Sequence, residues 1–351
     1  MSDAFAAPPR PRSPWQRLYG AAHALRQRWY RDRAVRLPRP VVSIGNLHWG
    51  GTGKTPLVAA MGQSLRDQGF KVAVLSRGYG GRGTGIRLVA DWNQGPLLDP
   101  AEAGDEPVLL ARLLPGVAVL VAPSRAAAGR WALAQLTPPP DLFLLDDGFS
   151  HLALARDLDL LAVPASDPFG GGRLFPSGRL REPLAATSRA HGVLLTGAGV
   201  TEPDARSLAE ALHSFGLTGP VFAAPTEVLP ARRLDERPLA AGARVVLASG
   251  IARPELFRQA VARQGFEIAQ ELRFEDHHPF PAQSRRTIAE AVSRHGAAAV
   301  LVTSKDAVKL RDFIAAPLAE LPIACTPEPG FWPWLSAEIA RVAGGSPRDD
   351  R

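Results

Sequence analysis

Lysine is nearly missing from this chain. Of 41 basic residues in 351, only Lys54, Lys71, Lys305 and Lys309 are lysines, so a lysine at position 54 is not background usage. Cysteine is scarcer still: Cys325 stands alone, which excludes an internal disulfide and any cysteine-based metal site and points to a reducing cytoplasm. Cys325 itself reads as a small buried apolar side chain. Long apolar runs are absent too, so the sequence offers neither a membrane-spanning helix nor the core of a signal peptide. With 46% apolar residues the chain can nonetheless bury a large core, and its length suits two domains.

Acidic residues are lacking at one end. Residues 1–40 hold nine arginines against Asp3 and Asp32, which accounts for the entire net charge of +7. Trp15, Leu18, Tyr19, Ala22, Leu25 and Trp29 recur there at spacings of three and four, the pattern of an amphipathic helix with an arginine-rich opposite face. Three readings stand for this segment of residues 1–36: a helix lying on a membrane surface, an arm binding nucleic acid, or a helix docked on the protein's own core. Tryptophan beside arginine favours the headgroup boundary. Nucleic acid is disfavoured as a partner because no binding motif accompanies the charge and the remaining chain has no basic excess.

The richest stretch is Val41-Val42-Ser43-Ile44-Gly45-Asn46-Leu47-His48-Trp49-Gly50-Gly51-Thr52-Gly53-Lys54-Thr55-Pro56, an apolar strand, a glycine-rich loop and the start of a helix. Backbone N–H groups turn inward on a polyphosphate only where side chains leave room, and Gly50, Gly51 and Gly53 leave it. Residues His48 to Thr55, with Trp49 and Thr52 among them, are therefore the expected nucleotide cradle. Lys54 is expected to reach the β/γ-phosphates and Thr55 to ligate Mg²⁺. The usual G-x-x-x-x-G-K-[ST] spacing asks for glycine where His48 stands.

Apolar runs then alternate with helical patterns, which predicts an α/β fold with a parallel sheet and crossover helices, like a P-loop NTPase. Strands are expected at 41–45, 71–76, 117–122, 141–146, 158–163 and 193–196, with helices at 56–68, 106–114 and 125–136. Prolines punctuate the chain around Pro220–Pro230, and a fresh pattern follows, with strands at 244–249 and 298–303 and helices at 254–264 and 284–294. We therefore expect a core domain over 37–225 and a smaller α/β domain over 226–351.

The apolar strand Leu142-Phe143-Leu144-Leu145 ends in Asp146-Asp147, the Walker B arrangement, so one of these carboxylates is expected at the Mg²⁺. Asp105, in Gly104-Asp105-Glu106-Pro107, reads on spacing as a helix cap. His277 and His278 suit a metal site, a catalytic histidine or a polar turn; adjacent histidines seldom share one metal, which weakens the first. Arg77, Arg125, Arg179 and Arg181 are candidates for phosphate contacts.

Taken in order, Ser43-Ile44-Gly45-Asn46-Leu47, Gly50-Gly51-Thr52-Gly53-Lys54-Thr55-Pro56, Ser76-Arg77-Gly78-Tyr79-Gly80, Gly104-Asp105-Glu106-Pro107, Asp146-Asp147-Gly148-Phe149, Gly178-Arg179-Leu180-Arg181-Glu182-Pro183, Gly250-Ile251-Ala252-Arg253-Pro254, Asp276-His277-His278 and Thr303-Ser304-Lys305-Asp306-Ala307 resemble the tetraacyldisaccharide 4′-kinases of lipid A biosynthesis in Gram-negative bacteria. The resemblance spans nearly the whole chain, and the family's loop also lacks the first glycine. It implies an ATP- and Mg²⁺-dependent kinase that phosphorylates the 4′-hydroxyl of tetraacyldisaccharide 1-phosphate to give lipid IVA. It further implies a peripheral place on the cytoplasmic face of the inner membrane, a second domain closing over the cleft, and Asp105 with His277 as base and orienter beside Lys54. Ser150 departs from the family's glutamine before His151. Two other classes stay open, a nucleotide-driven switch at the membrane and a soluble sugar kinase.

Overall fold

The structure, a computed structural model, describes residues 14–50, 52–235, 237, 239–312 and 315–344. After a first helix, α1 (Pro14–Arg31), strand and helix alternate: β1 (Val41–Gly45), α2 (Lys54–Asp67), β2 (Val72–Ser76), β3 (Arg87–Ala90), α3 (Pro100–Ala103), α4 (Asp105–Leu113), β4 (Ala118–Val121), α5 (Arg125–Gln135), β5 (Leu142–Asp146), β6 (Leu158–Pro164), β7 (Gly192–Gly197), α6 (Glu202–His213) and β8 (Val221–Val228). A second run holds β9 (Arg232–Arg233), β10 (Arg244–Ser249), α7 (Pro254–Arg263), β11 (Glu267–Arg273), α8 (Ala282–His295), β12 (Ala299–Thr303), α9 (Ser304–Ala307) and β13 (Leu318–Leu321). Last come β14 (Ile323–Cys325) and α10 (Phe331–Gly344).

These strands form two sheets. The nine-stranded one runs β14-β8-β7-β6-β1-β5-β2-β4-β3, with β1 between β5 and β6, and the five-stranded one runs β11-β10-β12-β13-β9. Inner strands of the large sheet are parallel and buried on both faces, and β1, β2, β4 and β5 are buried at every residue. This is why they read as continuous apolar runs rather than as alternating ones. The six strands expected before residue 200 are present, each displaced by no more than one residue at either end.

Edge elements escaped the sequence reading. The proline-rich stretch around 220–230 holds β8, where Pro225 has no N–H to give but its carbonyl accepts from the Thr326 amide at 3.0 Å. β11 is half-buried along most of its length, so its polar residues hid it. The expected unit 226–351 is corrected at its end: β14 pairs antiparallel with β8 in the large sheet, Cys325 opposite Thr226. α10 follows, seating Phe331, Leu335 and Ile339 in the large core, with the Phe331 and Trp334 rings 5.4 and 5.3 Å from that of Phe222. The reason is coverage, because an open sheet face needs an apolar helix against it and this aromatic-rich helix supplies one.

The small sheet thus leaves and rejoins the large one through neighbouring strands, and the Leu229 amide donates to the Pro322 carbonyl at 2.9 Å where the two passages meet. Beside them the buried carboxylate of Glu320 on β13 takes a bidentate pair from Arg112 on α4, at 2.9 and 2.7 Å, and a further contact from Arg232. Such a carboxylate is tolerable inside only because it is fully paired.

α1 lies partly on this body. Tyr19 and Tyr30 are half-buried, and the Tyr19 hydroxyl donates to the Arg181 carbonyl at 3.1 Å. Leu18, Leu25 and Trp29, which share one helix face, remain exposed at 64%, 70% and 58%. The side chain of Trp15 and residues 1–13 of the N-terminal segment lie outside the described residues. No helix of the described residues is long and apolar enough to cross a membrane.

Because α10 completes the large core, Phe331→Ala is expected to destabilise the protein by about 3–5 kcal/mol. Urea unfolding measures this; a loss below about 1 kcal/mol would mean the helix is only loosely applied.

Candidate active site

The site lies at the carboxyl ends of the strands, where open α/β sheets bind ligands. β1 runs straight into the glycine-rich loop. A Cβ on Gly45 would lie 2.5 Å from that of Phe149, so glycine is required where the loop after β5 crosses β1. The loop is braced from within: Asn46 Nδ2 donates to Thr52 Oγ1 at 2.7 Å, and Thr196 Oγ1 on β7 donates to the Thr52 carbonyl at 2.7 Å. Gly53, at φ 75° and ψ 16°, starts α2 at Lys54 rather than at the expected Pro56, which brings Lys54 and Thr55 into its first turn. No side chain caps that end, and an uncapped helix start of this kind is suited to an anion.

Of the expected cradle residues, Gly50 adopts φ 99°, Thr52 is buried, and Gly51 lies outside the described residues. His48, in place of the missing glycine, is buried and donates Nε2–H to the Asp167 carbonyl at 3.0 Å. Burial pushes its pKa down to about 4, so it is neutral. Trp49 is half-exposed, its ring 5.6 Å from that of Phe175 and under the Arg181 guanidinium at 4.8 Å.

Asp146 and Asp147 separate cleanly. Asp146 ends β5, buried and opposite Ile44 of β1, and accepts from Ser76 Oγ at 3.1 Å. Burial first, then Glu106 and Asp147, push its pKa up. Asp147, in the left-handed region at φ 51°, meets Lys54 Nζ at 3.0 Å and Arg181 Nη1 at 2.8 Å. Burial works to raise its pKa, but Lys54 and Arg181 prevail and hold it down at about 2.

Across the gap, the small sheet presents its own carboxyl edge. Asp105 is the first residue of α4 rather than its cap, which is Gly104 at φ 93°. A Cβ on Gly104 would sit 2.6 Å from the Tyr79 carbonyl, so this glycine lets the 76–81 loop close on the helix start. His277 Nδ1, from the loop after β11, lies 3.2 Å from Asp105 Oδ2, 172 residues away in the chain. It is held at φ 61°, an uncommon conformation for a non-glycine residue and a mark of a constrained site. Burial tends to raise the Asp105 pKa, but the His277 hydrogen bond and Lys309 lower it, while the same hydrogen bond raises that of His277. The shared hydrogen bond thus favours the protonated imidazole and the ionised carboxylate together.

Two lysines that sequence reasoning had not placed in the site complete it. Lys309 Nζ is 3.3 Å from Asp105 and 2.9 Å from Asp306, and Lys305 Nζ is 2.7 Å from Glu106. Their rarity in the sequence was the available signal. Other candidates fall outside this core. Arg77 is exposed, and Arg179 meets Asp167 at 3.6 Å. Arg125 is buried with Nη1 3.3 Å from His151 Nδ1, and His151 has its pKa pushed down to about 4 by burial and by Arg125. His278 is structural, bonded to Ser284 Oγ at 2.8 Å and stacked on Phe274. Ser150 donates to the buried Glu182, which Arg189 also pairs at 2.8 Å.

Comparison with known proteins gives one answer. The family described as Tetraacyldisaccharide-1-P 4′-kinase, LpxK, matches residues 12–340. A tetraacyldisaccharide 4′-kinase of Anaeromyxobacter dehalogenans strain 2CP-C is 45% identical over 308 residues, covering 85% of this chain and 80% of its own. That of Geobacter sulfurreducens is 41% identical over 304 residues, covering 85% and 83%. Among solved structures, Aquifex aeolicus LpxK in complex with ATP is 30% identical with a TM-score of 0.74, covering 94% of this chain and 97% of that one.

The ion pair across the gap sets a pH test. The His277 contribution is complete below the ordinary histidine value of 6.5 and is lost as pH rises through its raised value, while that of Asp105 persists above 3.8 and is lost only in acid. A double-mutant cycle with His277→Gln and Asp105→Asn, read by urea unfolding, should give a larger coupling at about pH 6 than at about pH 9. Equal couplings would mean that the histidine does not change its charge between the two.

Proposed function

The chain belongs to the tetraacyldisaccharide 1-phosphate 4′-kinase family, and from that premise we infer that it transfers the γ-phosphoryl group of ATP to the 4′-hydroxyl of tetraacyldisaccharide 1-phosphate, giving lipid IVA. The observation that carries this reading is a single cleft in which the large sheet's side holds an uncapped helix start bearing Lys54 and the carboxylate Asp105, the latter bonded by His277 from the small sheet's side.

Each residue has a part that follows from its surroundings. The loop amides and Lys54 receive the phosphates, and Lys54 exchanges its present partner Asp147 for the β/γ-oxygens. The oxygen donors at hand, Thr55 on the first turn of α2 and Asp146 at the end of β5, suit Mg²⁺ by their chemistry, and the raised pKa of a buried carboxylate is what a bound cation would reverse. Bound there, Mg²⁺ neutralises charge on the transferred group. Asp147, already ionised by Lys54 and Arg181, is the second carboxylate of that site. A sugar hydroxyl is a poor nucleophile, so Asp105 takes its proton as the new P–O bond forms, with His277 orienting the carboxylate.

The acceptor's acyl chains require a lipid surface, and the exposed face of α1, with Leu18, Leu25 and Trp29, supports peripheral binding at the cytoplasmic leaflet. Arginines of the segment add about 1 kcal/mol each near anionic lipid. The 1–36 segment, the 37–225 core and the smaller domain, which β14 and α10 leave at 322, are the units of this reading.

Incubation with Mg-ATP and tetraacyldisaccharide 1-phosphate should place a second phosphate monoester on the lipid. Phosphate released to water instead would favour a nucleotide-driven switch. Lys54→Ala should lower kcat at least about 10²–10³-fold with the fold retained, because the developing charge loses its fixed cation. Near-normal turnover would remove the loop from the mechanism.

Deleting residues 1–31 should release the protein from anionic vesicles and raise KM for lipid in a bilayer while leaving ATP binding intact. A truncated protein that still sediments with vesicles would place the membrane contact elsewhere.

A further inference from the structure

Asp105 is gripped on one oxygen only. His277 Nδ1 at 3.2 Å, in a hydrogen bond, and Lys309 Nζ at 3.3 Å, as an ion pair, both lie against Oδ2, and no hydrogen bond to Oδ1 is found among the described residues. Both cations come from the small sheet, whereas Asp105 opens a helix packed on the large one. Lys309 is itself tightly built in. Its side chain is 5% exposed, its ammonium lies 2.9 Å from the fully buried Asp306 and 5.2 Å from the ring centroid of Phe280. Asp306 in turn accepts from Thr303 Oγ1 at 2.7 Å and from the Gly250 amide at 3.2 Å. A surface lysine swings through many rotamers; this one is fixed by its burial and its counter-ion.

We propose that Lys309 is a positioning residue for phosphoryl transfer, which together with His277 clamps Oδ2 of Asp105 so that Oδ1 alone is presented to the acceptor hydroxyl. This rests on the reading of Asp105 as the base. The clamp answers a geometric problem, since a free carboxylate rotates about χ2 and offers either oxygen, while a proton acceptor must lie within hydrogen-bond reach in one orientation. The acceptor proton passes from the 4′-oxygen to Oδ1 as the 4′-oxygen bonds to phosphorus and the bond from phosphorus to the β,γ-bridging oxygen breaks. His277 and Lys309 lower the pKa of the carboxylate, which favours its ionised form beforehand.

The groups facing Asp105 are His277 after β11, Lys309 and Lys305 after β12, and Glu106 on its own helix, which Lys305 already pairs. Removing Lys309 therefore withdraws one of the two cations in contact with the carboxylate. Removal alone would leave Asp306 buried and unpaired, so the informative variant is the double Lys309→Met, Asp306→Asn. Folded by thermal melting, it should keep KM for ATP within about twofold, lose about tenfold or more in kcat, and move the acid limb of the kcat profile to higher pH.

An unchanged kcat and limb would overturn the proposal. So would a reduced kcat with the limb in place, because a packing role alone gives that pattern. Should the double variant not fold, Lys309→Gln, which still offers Asp306 an amide donor, is read the same way. Asp105→Asn is measured beside them. Wild-type turnover there would refute the base itself, a failure distinct from that of the clamp.

Discussion

Open sheets of parallel strands offer ligands their carboxyl edge, and in this protein the carboxyl edges of two mainly parallel sheets meet at one gap. The rest of the site depends on that constraint. β1 and β5 deliver the phosphate loop and the Asp146–Asp147 pair on one side, while the segments after β11 and β12 deliver His277, Lys305 and Lys309 on the other. Neither sheet holds both a phosphate cradle and a partner for Asp105. Where the two sides meet the charges match: Asp105 and Glu106 at the start of α4 face His277, Lys309 and Lys305, in a partly desolvated space where such pairs count for more than at the surface.

The near-absence of lysine acquires a physical meaning in that arrangement. Arginine does the fixed, bidentate work of the scaffold, as in Arg112 with Glu320 and Arg156 with Asp159. Three of the four lysines, Lys54, Lys305 and Lys309, stand instead where a compact charge faces a carboxylate in the cleft. The fourth, Lys71, lies over the Trp92 ring at 5.7 Å. A point charge fits against a single carboxylate oxygen without the planar match that a guanidinium demands.

The sequence made legible whatever is local. The phosphate loop was readable because strand, glycines, lysine and helix are contiguous, and the inner strands because burial on both faces leaves an unbroken apolar run. Asp146 and Asp147 were readable as a pair but not apart; only the fold shows one buried against Ser76 and the other turned into the left-handed region toward Lys54. Contacts that span the chain left little local trace. Asp105 looked like a cap because Asp at a helix start usually is one, and its pairing with His277 came from the family resemblance, not from spacing. The return of β14 and α10 to the large sheet was invisible, since a three-residue edge strand carries almost no pattern.

The side-by-side passage of the chain at Leu229 and Pro322 makes the small sheet, topologically, a loop of the large one. Its two ends are already joined by a hydrogen bond, so the span between them is an excursion that leaves the outer fold's connectivity as a short hairpin would. The size of that excursion could therefore vary while the large sheet kept its strand order and its loop. The glycine-rich loop with its helix start and the side chains that hold Asp105 are thus carried on separable lengths of one polypeptide.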